Sequence, residues 1–252
     1  MRIYTDPYEA VRETERVLYE MGIDIHPQTM QDKDVRDDPN YLTKEIRGYG
    51  FKITDWDWDE ATIKQMLACY YDKEEARRVL AYICTEFQDR VAGRPLNPGN
   101  SYLTRTDVWD EFLHDDQFAY TYSERMTPQL NIILEELKAN TESRQAIINI
   151  HSNICPMGHN MVIDSTDLAN RGAGGRVPCS MYYQIMVRES KVDLIYTMRS
   201  CDFLTHFPVD ISIALLLQSW FAHKLKLAIG TFTYFAGSMH AYKKDLGKRG
   251  IF

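Results

Sequence analysis

The stretch RVPCSMYYQIMVRES, residues 176–190, places a cysteine directly after a proline and ahead of an alternating run through Tyr182, Gln184 and Met186. Alternation with a period of two predicts a strand. A second strand-like run, KVDLIYTMRS, follows across Glu189, Ser190 and Lys191, so the pair reads as a hairpin. Cys179 then stands at a strand entrance, either as a small buried hydrophobe or as a thiol held there to attack something.

The hairpin is set among helices. DPYEAVRETERVLYEMG opens with Asp6 and Pro7, which suit an N-cap and first helical position, and stops at Gly22. A polar loop over 26–42 leads to an alternating strand, TKEIRGYGFKI. Residues 59–91 read as two helices and AGRPLNPGN as a loop. TPQLNIILEELKANTESR has helical spacing and is expected to open at Thr127-Pro128, with QAIINIHS following as a strand. Residues 152–176 are aperiodic and contain glycine, hence a loop or insertion. DISIALLLQSWFAHKLKL is almost wholly apolar at first and reads as a buried central helix, and GTFTYFAGSMHAY is a last strand. Helices and hairpin strands without regular alternation predict an α+β fold with a mostly mixed or antiparallel sheet.

At 252 residues and 44% hydrophobic, the chain can bury a large core, and no linker or low-complexity run divides it, so one domain over 1–252 is expected. A net charge of −7 argues against a broad nucleic-acid surface but allows a local cationic pocket for one phosphate. No apolar stretch reaches membrane-spanning length and the first residues lack a secretion signal, so the expected location is the cytoplasm, without a membrane partner. Cys69, Cys84, Cys155, Cys179 and Cys201 are an odd number without paired spacing, which favours free thiols. Cys155 and His159 have no second pair to complete a zinc site, so no metal is expected.

Polar groups collect in the last third: Cys179, then Arg199, Ser200, Asp202 and Asp210 in MRSCDFLTHFPVD, then His240 and Tyr242 in GSMHAY. A guanidinium near a cysteine raises its thiolate fraction, and Arg199 is the candidate. Singly, each residue has a structural explanation: a core cysteine, a turn ion pair, one face of an exposed strand.

Together they resemble the thymidylate synthase family, which includes pyrimidine-nucleotide hydroxymethylases. The matching text is VPC (177–179), RSCD (199–202), an acid at Asp210 in FPVD, and HAY (240–242), in one register without a gap. Upstream, VWDEF (108–112), YTYSER (120–125) and ESRQAII (142–148) resemble the family's tryptophan, tyrosine and phosphate-arginine segments in the expected order.

The resemblance implies a thymidylate synthase-like α+β fold, with a mixed sheet packed by helices and a sheet-to-sheet homodimer. It implies that Cys179 is the nucleophile adding to C6 of a pyrimidine nucleoside monophosphate, with Arg199 and Ser200 on the phosphate and Arg199 also near the thiol. Arg144 resembles the arginine lent by the other subunit, and His240 and Tyr242 the pair holding the sugar 3′-hydroxyl. Trp109 and Asp202 resemble contacts to the co-substrate 5,10-methylenetetrahydrofolate, and Tyr120 a tyrosine helping proton removal from C5. Glu86 in CTEFQD is the matching carboxylate for water and proton transfer. Lys33 and Arg36 are candidates for an amino-terminal phosphate ligand, with a solvated charge run the alternative.

Asp210 carries the choice of base. Family members that use uracil have asparagine at the matching position, whose amide both donates and accepts. Cytosine offers an amino donor and an unprotonated N3; a carboxylate accepts from the amino group and, once N3 is protonated, from there too. A site built for one pattern rejects the other by roughly 10⁴-fold. Aspartate here resembles the deoxycytidylate and cytidylate hydroxymethylases, as does Met198, which implies water addition to a C5 methylene and a 5-hydroxymethylcytosine nucleotide as product. The rivals are a C5 methyltransferase or thymidylate synthase-like enzyme, and a nucleotide-binding relative without folate chemistry. Departures from the family pattern are His206 in place of a glycine, Gln145 in place of a second phosphate arginine, and a shorter stretch after Tyr242. Between Arg144 and Cys179 lie roughly 15 extra residues, a length that loops tolerate.

Overall fold

Ser180–Arg188 and Lys191–Asp202 pair antiparallel across Glu189 and Ser190, whose φ values are 51° and 60°. Two successive positive φ angles give the turn whose twist matches that of the strands. The computed structural model describes residues 1–30, 33–54, 56, 60–151 and 177–246. Its strands are β1 Arg2–Tyr4, β2 Ile23–Ile25, β3 Thr29–Met30, β4 Lys33–Asp34, β5 Thr43–Ile53, β6 Ile147–Asn149, β7 Ser180–Arg188, β8 Lys191–Asp202 and β9 Ala228–Tyr242. The helices are α1 Pro7–Met21, α2 Glu60–Leu67, α3 Lys73–Arg90, α4 Thr106–Trp109, α5 Tyr122–Ala139, α6 Phe207–Leu225 and α7 Lys243–Leu246.

The main sheet has the order β1-β5-β9-β8-β7-β6, with β2 added on β5 and β3–β4 a separate ladder. β1 runs parallel to β5 and β8 parallel to β9, while β5–β9, β7–β8 and β6–β7 are antiparallel. The sheet is therefore mixed, as expected for α+β. Parallel neighbours need a crossover, and α6 supplies it between β8 and β9.

One face of the sheet packs on helices. Tyr183, Tyr196, Tyr234, Phe232 and Phe51 are fully buried there, together with Phe207 and Phe221 of α6. A helix apolar on all sides belongs inside. Its buried Gln218 places Nε2 at 2.8, 3.1 and 3.3 Å from the carbonyls of Val192, Gly230 and Thr231, satisfying backbone groups where the β8–β9 register shifts. On the opposite face, Ile3 and Phe235 remain 66% and 39% exposed.

Two expectations are corrected. α5 begins at Tyr122, not at Thr127-Pro128, because Thr121 and Glu124 form a reciprocal capping box; Pro128 lies inside the helix with its ring exposed. The segment 26–42 is not wholly loop, since it holds the β3–β4 ladder and a 3-10 turn at Pro39–Tyr41. The 152–176 segment, with Cys155 and His159, lies outside the described residues. Among the described residues no helix is long and apolar enough to cross a membrane, and no group of three His, Cys, Asp or Glu side chains could hold a metal ion.

Candidate active site

The strand entrance at Cys179 is held by Arg199. Its Nε donates to the carbonyl of Pro178 at 2.9 Å and its Nη2 to that of Val177 at 3.0 Å, while the Arg199 backbone N–H donates to the Cys179 carbonyl at 2.8 Å. With the guanidinium fixed in this way, Nη2 lies 3.7 Å from Cys179 Sγ and Nη1 lies 3.2 Å from Ser200 Oγ. Cys179 is half-buried and Arg199 exposed, so a cation faces the thiol where an anion can reach both. A nearby guanidinium stabilises the thiolate form of a cysteine. Behind Cys179, Ser180 Oγ and Tyr196 Oη are 2.6 Å apart, and Tyr196 stacks on Tyr183 at 4.4 Å.

The inner wall comes from α3. Glu86 Oε1 accepts from Arg90 Nε at 2.8 Å and Oε2 from Ser101 Oγ at 2.6 Å. Arg90, only 5% exposed, also donates to Tyr183 Oη at 3.3 Å and lies 4.0 Å over the Tyr122 ring. Burial works against its charge, but Glu86, Tyr183 and Tyr122 outweigh that, so Arg90 holds its proton more tightly than a free arginine. Ser101 is placed in turn by buried Asp89, which accepts from its backbone N–H at 2.8 Å and from Asn100 Nδ2 at 2.9 Å. Gly99 (φ 84°) allows this approach, because a Cβ there would stand 2.7 Å from Asp89 Oδ2.

Asp210 occupies the first turn of α6 and is half-buried. Burial pushes its carboxyl up to about 7, Glu86 adds to the rise, and Arg90 and Arg105 oppose it. The helix N-terminus favours an anion and so also opposes the rise. Tyr122 feels the charges of both Cys179 and Asp210, and burial pushes its phenol well up.

A third group lies where β8, β9 and β5 meet. Register places Asp202 and Glu45 on either side of His240. Ser238 Oγ donates to Glu45 Oε1 at 2.6 Å and lies 3.4 Å from His240 Nδ1. With the Ser238 proton committed to Glu45, its lone pair suits an Nδ1–H tautomer, leaving Nε2 to accept a hydrogen bond. Burial lowers the His240 pKa, and Arg199 adds to this against Asp202 and Glu45. Burial raises Tyr242 to about 12, with Asp202 next in effect. Asp202 Oδ1 accepts from the backbone N–H groups of Leu204 and Thr205 at 3.1 and 3.3 Å.

Trp109, at the end of α4, is half-buried, with ring centroids 6.1 Å from Phe112 and 6.3 Å from Phe118. Arg125 lies 4.3 Å over the ring of Tyr120. Arg144 is exposed just before β6, and its guanidinium has no hydrogen-bond or ion-pair partner among the described residues. Arg36 folds onto Asp34 at 2.9 Å in an exposed pair, and the Lys33 side chain is not among those described. Of the residues singled out in the sequence, the structure brings Cys179, Arg199 and Ser200 together and sets Asp202 beside His240; Arg90, Ser101, Tyr122 and Glu45, which line the same groups, were not among them. The i,i+4 spacing of Glu86 and Arg90 on a helix was a signal that could have found Arg90.

The family model for thymidylate synthase matches residues 49–249. A Methanocaldococcus jannaschii protein named for thymidylate synthase is 30% identical over 136 residues, which is 54% of this chain and 57% of the relative. The thymidylate synthase of Francisella philomiragia is 25% identical over 118 residues, covering 47% of this chain and 42% of that one. The matches therefore span about half the length of these curated relatives. In fold, the crystal structure of thymidylate synthase from T4 phage is similar with a TM-score of 0.62 at 17% identity, over 93% of this chain and 77% of the phage protein.

Proposed function

Because the chain belongs to the thymidylate synthase family, we propose that it is a folate-dependent C5 hydroxymethylase of a cytidine monophosphate, CMP or dCMP, acting as a homodimer. The observation that supports the choice of base is the Asp210 carboxyl at the first turn of α6, flanked electrostatically by Glu86, Arg90 and Arg105. A carboxyl poised near neutrality shares one proton with cytosine N3 while its other oxygen accepts from the 4-amino group.

In this reading Cys179 adds to C6 as the thiolate, with Arg199 beside it. The N3 proton held at Asp210 takes up the charge that develops in the ring. Ser200, Arg199 and the partner subunit's copy of Arg144 hold the phosphate. His240 Nε2 and the Tyr242 hydroxyl take the sugar 3′-hydroxyl. Tyr120 helps move the C5 proton. Glu86, oriented by Arg90 and Ser101, holds and deprotonates the water that adds at the C5 methylene.

The co-substrate 5,10-methylenetetrahydrofolate, when bound, supplies a one-carbon unit at the oxidation level of formaldehyde. The chain offers residues that fit it: the Trp109, Phe112 and Phe118 rings suit a planar heteroaromatic, and Asp202 keeps Oδ2 without a donor among the described residues. Release of the C5 hydrogen to solvent, followed with deuterium-labelled CMP, dCMP, UMP and dUMP, tests the nucleophile and the base together. Release from the cytosine nucleotides alone, lost in Cys179→Ala, supports the proposal. Release from uracil nucleotides in preference contradicts the reading of Asp210.

A further inference from the structure

The row Asp202, His240, Glu45 crosses three neighbouring strands, and Glu45 has no part in the chemistry described so far. Glu45 is half-buried and directly opposite His240 in the β5–β9 pairing. Its Oε1 is taken by Ser238 at 2.6 Å, and Oε2 has no donor among the described residues. A half-buried carboxylate oxygen wants a donor. The neighbouring His240, with Nδ1 turned toward Ser238, presents Nε2 as an acceptor. Two acceptors on adjacent strands, a carboxylate and an imidazole nitrogen, match two adjacent hydroxyl donors, and a carboxylate is a common ligand of ribose hydroxyls.

We propose that Glu45 reads the sugar, its Oε2 accepting a hydrogen bond from the ribose 2′-hydroxyl, so that the site takes a ribonucleotide in preference to a deoxyribonucleotide. This rests on the reading of His240 and Tyr242 as ligands of the 3′-hydroxyl. A deoxy sugar leaves the half-buried Oε2 without this donor. A hydrogen bond to a charged group corresponds to a preference of roughly ten- to a hundredfold.

The test is calorimetric binding of CMP, dCMP and 2′-deoxy-2′-fluoro-CMP, and of the matching uracil set, to the wild type and to Glu45→Gln and Glu45→Thr. The expected wild-type result is a ribo-over-deoxy ratio of that size. The fluoro analogue, which cannot donate, should bind no better than the deoxy compound. Both variants should lose affinity for the ribonucleotide while the deoxyribonucleotide changes little. Tighter binding of the deoxyribonucleotide by the wild type overturns the proposal, as does a fluoro analogue that binds like CMP or a variant that weakens both sugars equally. The fluoro comparison needs no variant, so it decides the matter even where a substitution unfolds the chain. A uracil preference with the ribo-over-deoxy ratio intact would instead count against Asp210 as the cytosine reader and leave Glu45 in place.

Discussion

Arg199 Nη2 lies 3.7 Å from Cys179 Sγ while Nε and Nη2 of the same side chain are tied to the carbonyls of Pro178 and Val177. The guanidinium is thereby fixed against the segment that carries the thiol, twenty residues away in sequence, while the residue remains exposed to solvent. Cys179→Ala should abolish turnover and C5 hydrogen release, with nucleotide affinity changed by less than about tenfold, because the thiol forms its bond after the nucleotide is seated. Turnover retained in this variant removes Cys179 as the nucleophile.

Arg90 connects Glu86 to Tyr183 and Tyr122. Arg90→Met should destabilise the protein by about 3–5 kcal/mol, since it strands the Glu86 carboxylate in a poorly hydrated place. Arg90→Lys keeps the charge but lacks the planar fork that reaches Glu86 and Tyr183 together. For that variant the expected result is a kcat lower by roughly ten- to a hundredfold with KM little changed. A variant whose KM rises while kcat holds would show that Arg90 serves substrate binding and not the placement of Glu86.

Asp210 links stability to pH. Its carboxyl titrates at about 7 when folded, against the ordinary 3.8, so between those values the folded protein keeps a proton that the unfolded chain has lost. The group's contribution is therefore most favourable below about pH 4, declines as pH rises, and is constant above about pH 7; the change is at most about 4 kcal/mol. Asp210→Asn lacks this titration. Its Tm should gain on the wild type as pH goes from 5 to 8, and a gap independent of pH would contradict the buried carboxyl. The same variant should shift preference toward uracil nucleotides, an outcome read from competing substrates in one tube.

The proposed homodimer is tested through Arg144. Arg144→Ala and Cys179→Ala should each be nearly inactive alone. Mixing them under conditions of subunit exchange should restore activity, because one mixed site then has both an intact thiol and an intact arginine. No recovery despite demonstrated exchange would mean that Arg144 does not serve the neighbouring subunit.

The readability of this chain followed the range of the interactions. The hairpin and the buried α6 were legible because period-two alternation and an unbroken apolar run are local signals. α5 was misplaced because Thr127-Pro128 looks like a helix start, while the capping box at Thr121 and Glu124 lies further upstream. β1 and β2 are too short, at three residues each, to carry a period. Cys179, Arg199, Asp210, His240 and Tyr242 stood out as polar groups in a largely apolar stretch, and the roles assigned to them came from the resemblance to the family. Glu45 escaped because its partner Ser238 is 193 residues away, and only sheet register brings them together. The burial of Arg90 is not a local signal either, because the tyrosines packed on it come from other elements.

In the proposed reaction water, and not hydride, completes the chemistry at C5 of a cytosine nucleotide. The measurement that meets it most directly is mass spectrometry of the nucleotide after incubation of the purified protein with 5,10-methylenetetrahydrofolate and CMP, dCMP, UMP or dUMP in turn, with the folate product identified alongside. The expected result is a hydroxymethyl group on CMP or dCMP together with tetrahydrofolate. A methyl group together with dihydrofolate, or a product formed only from a uracil nucleotide, would contradict it.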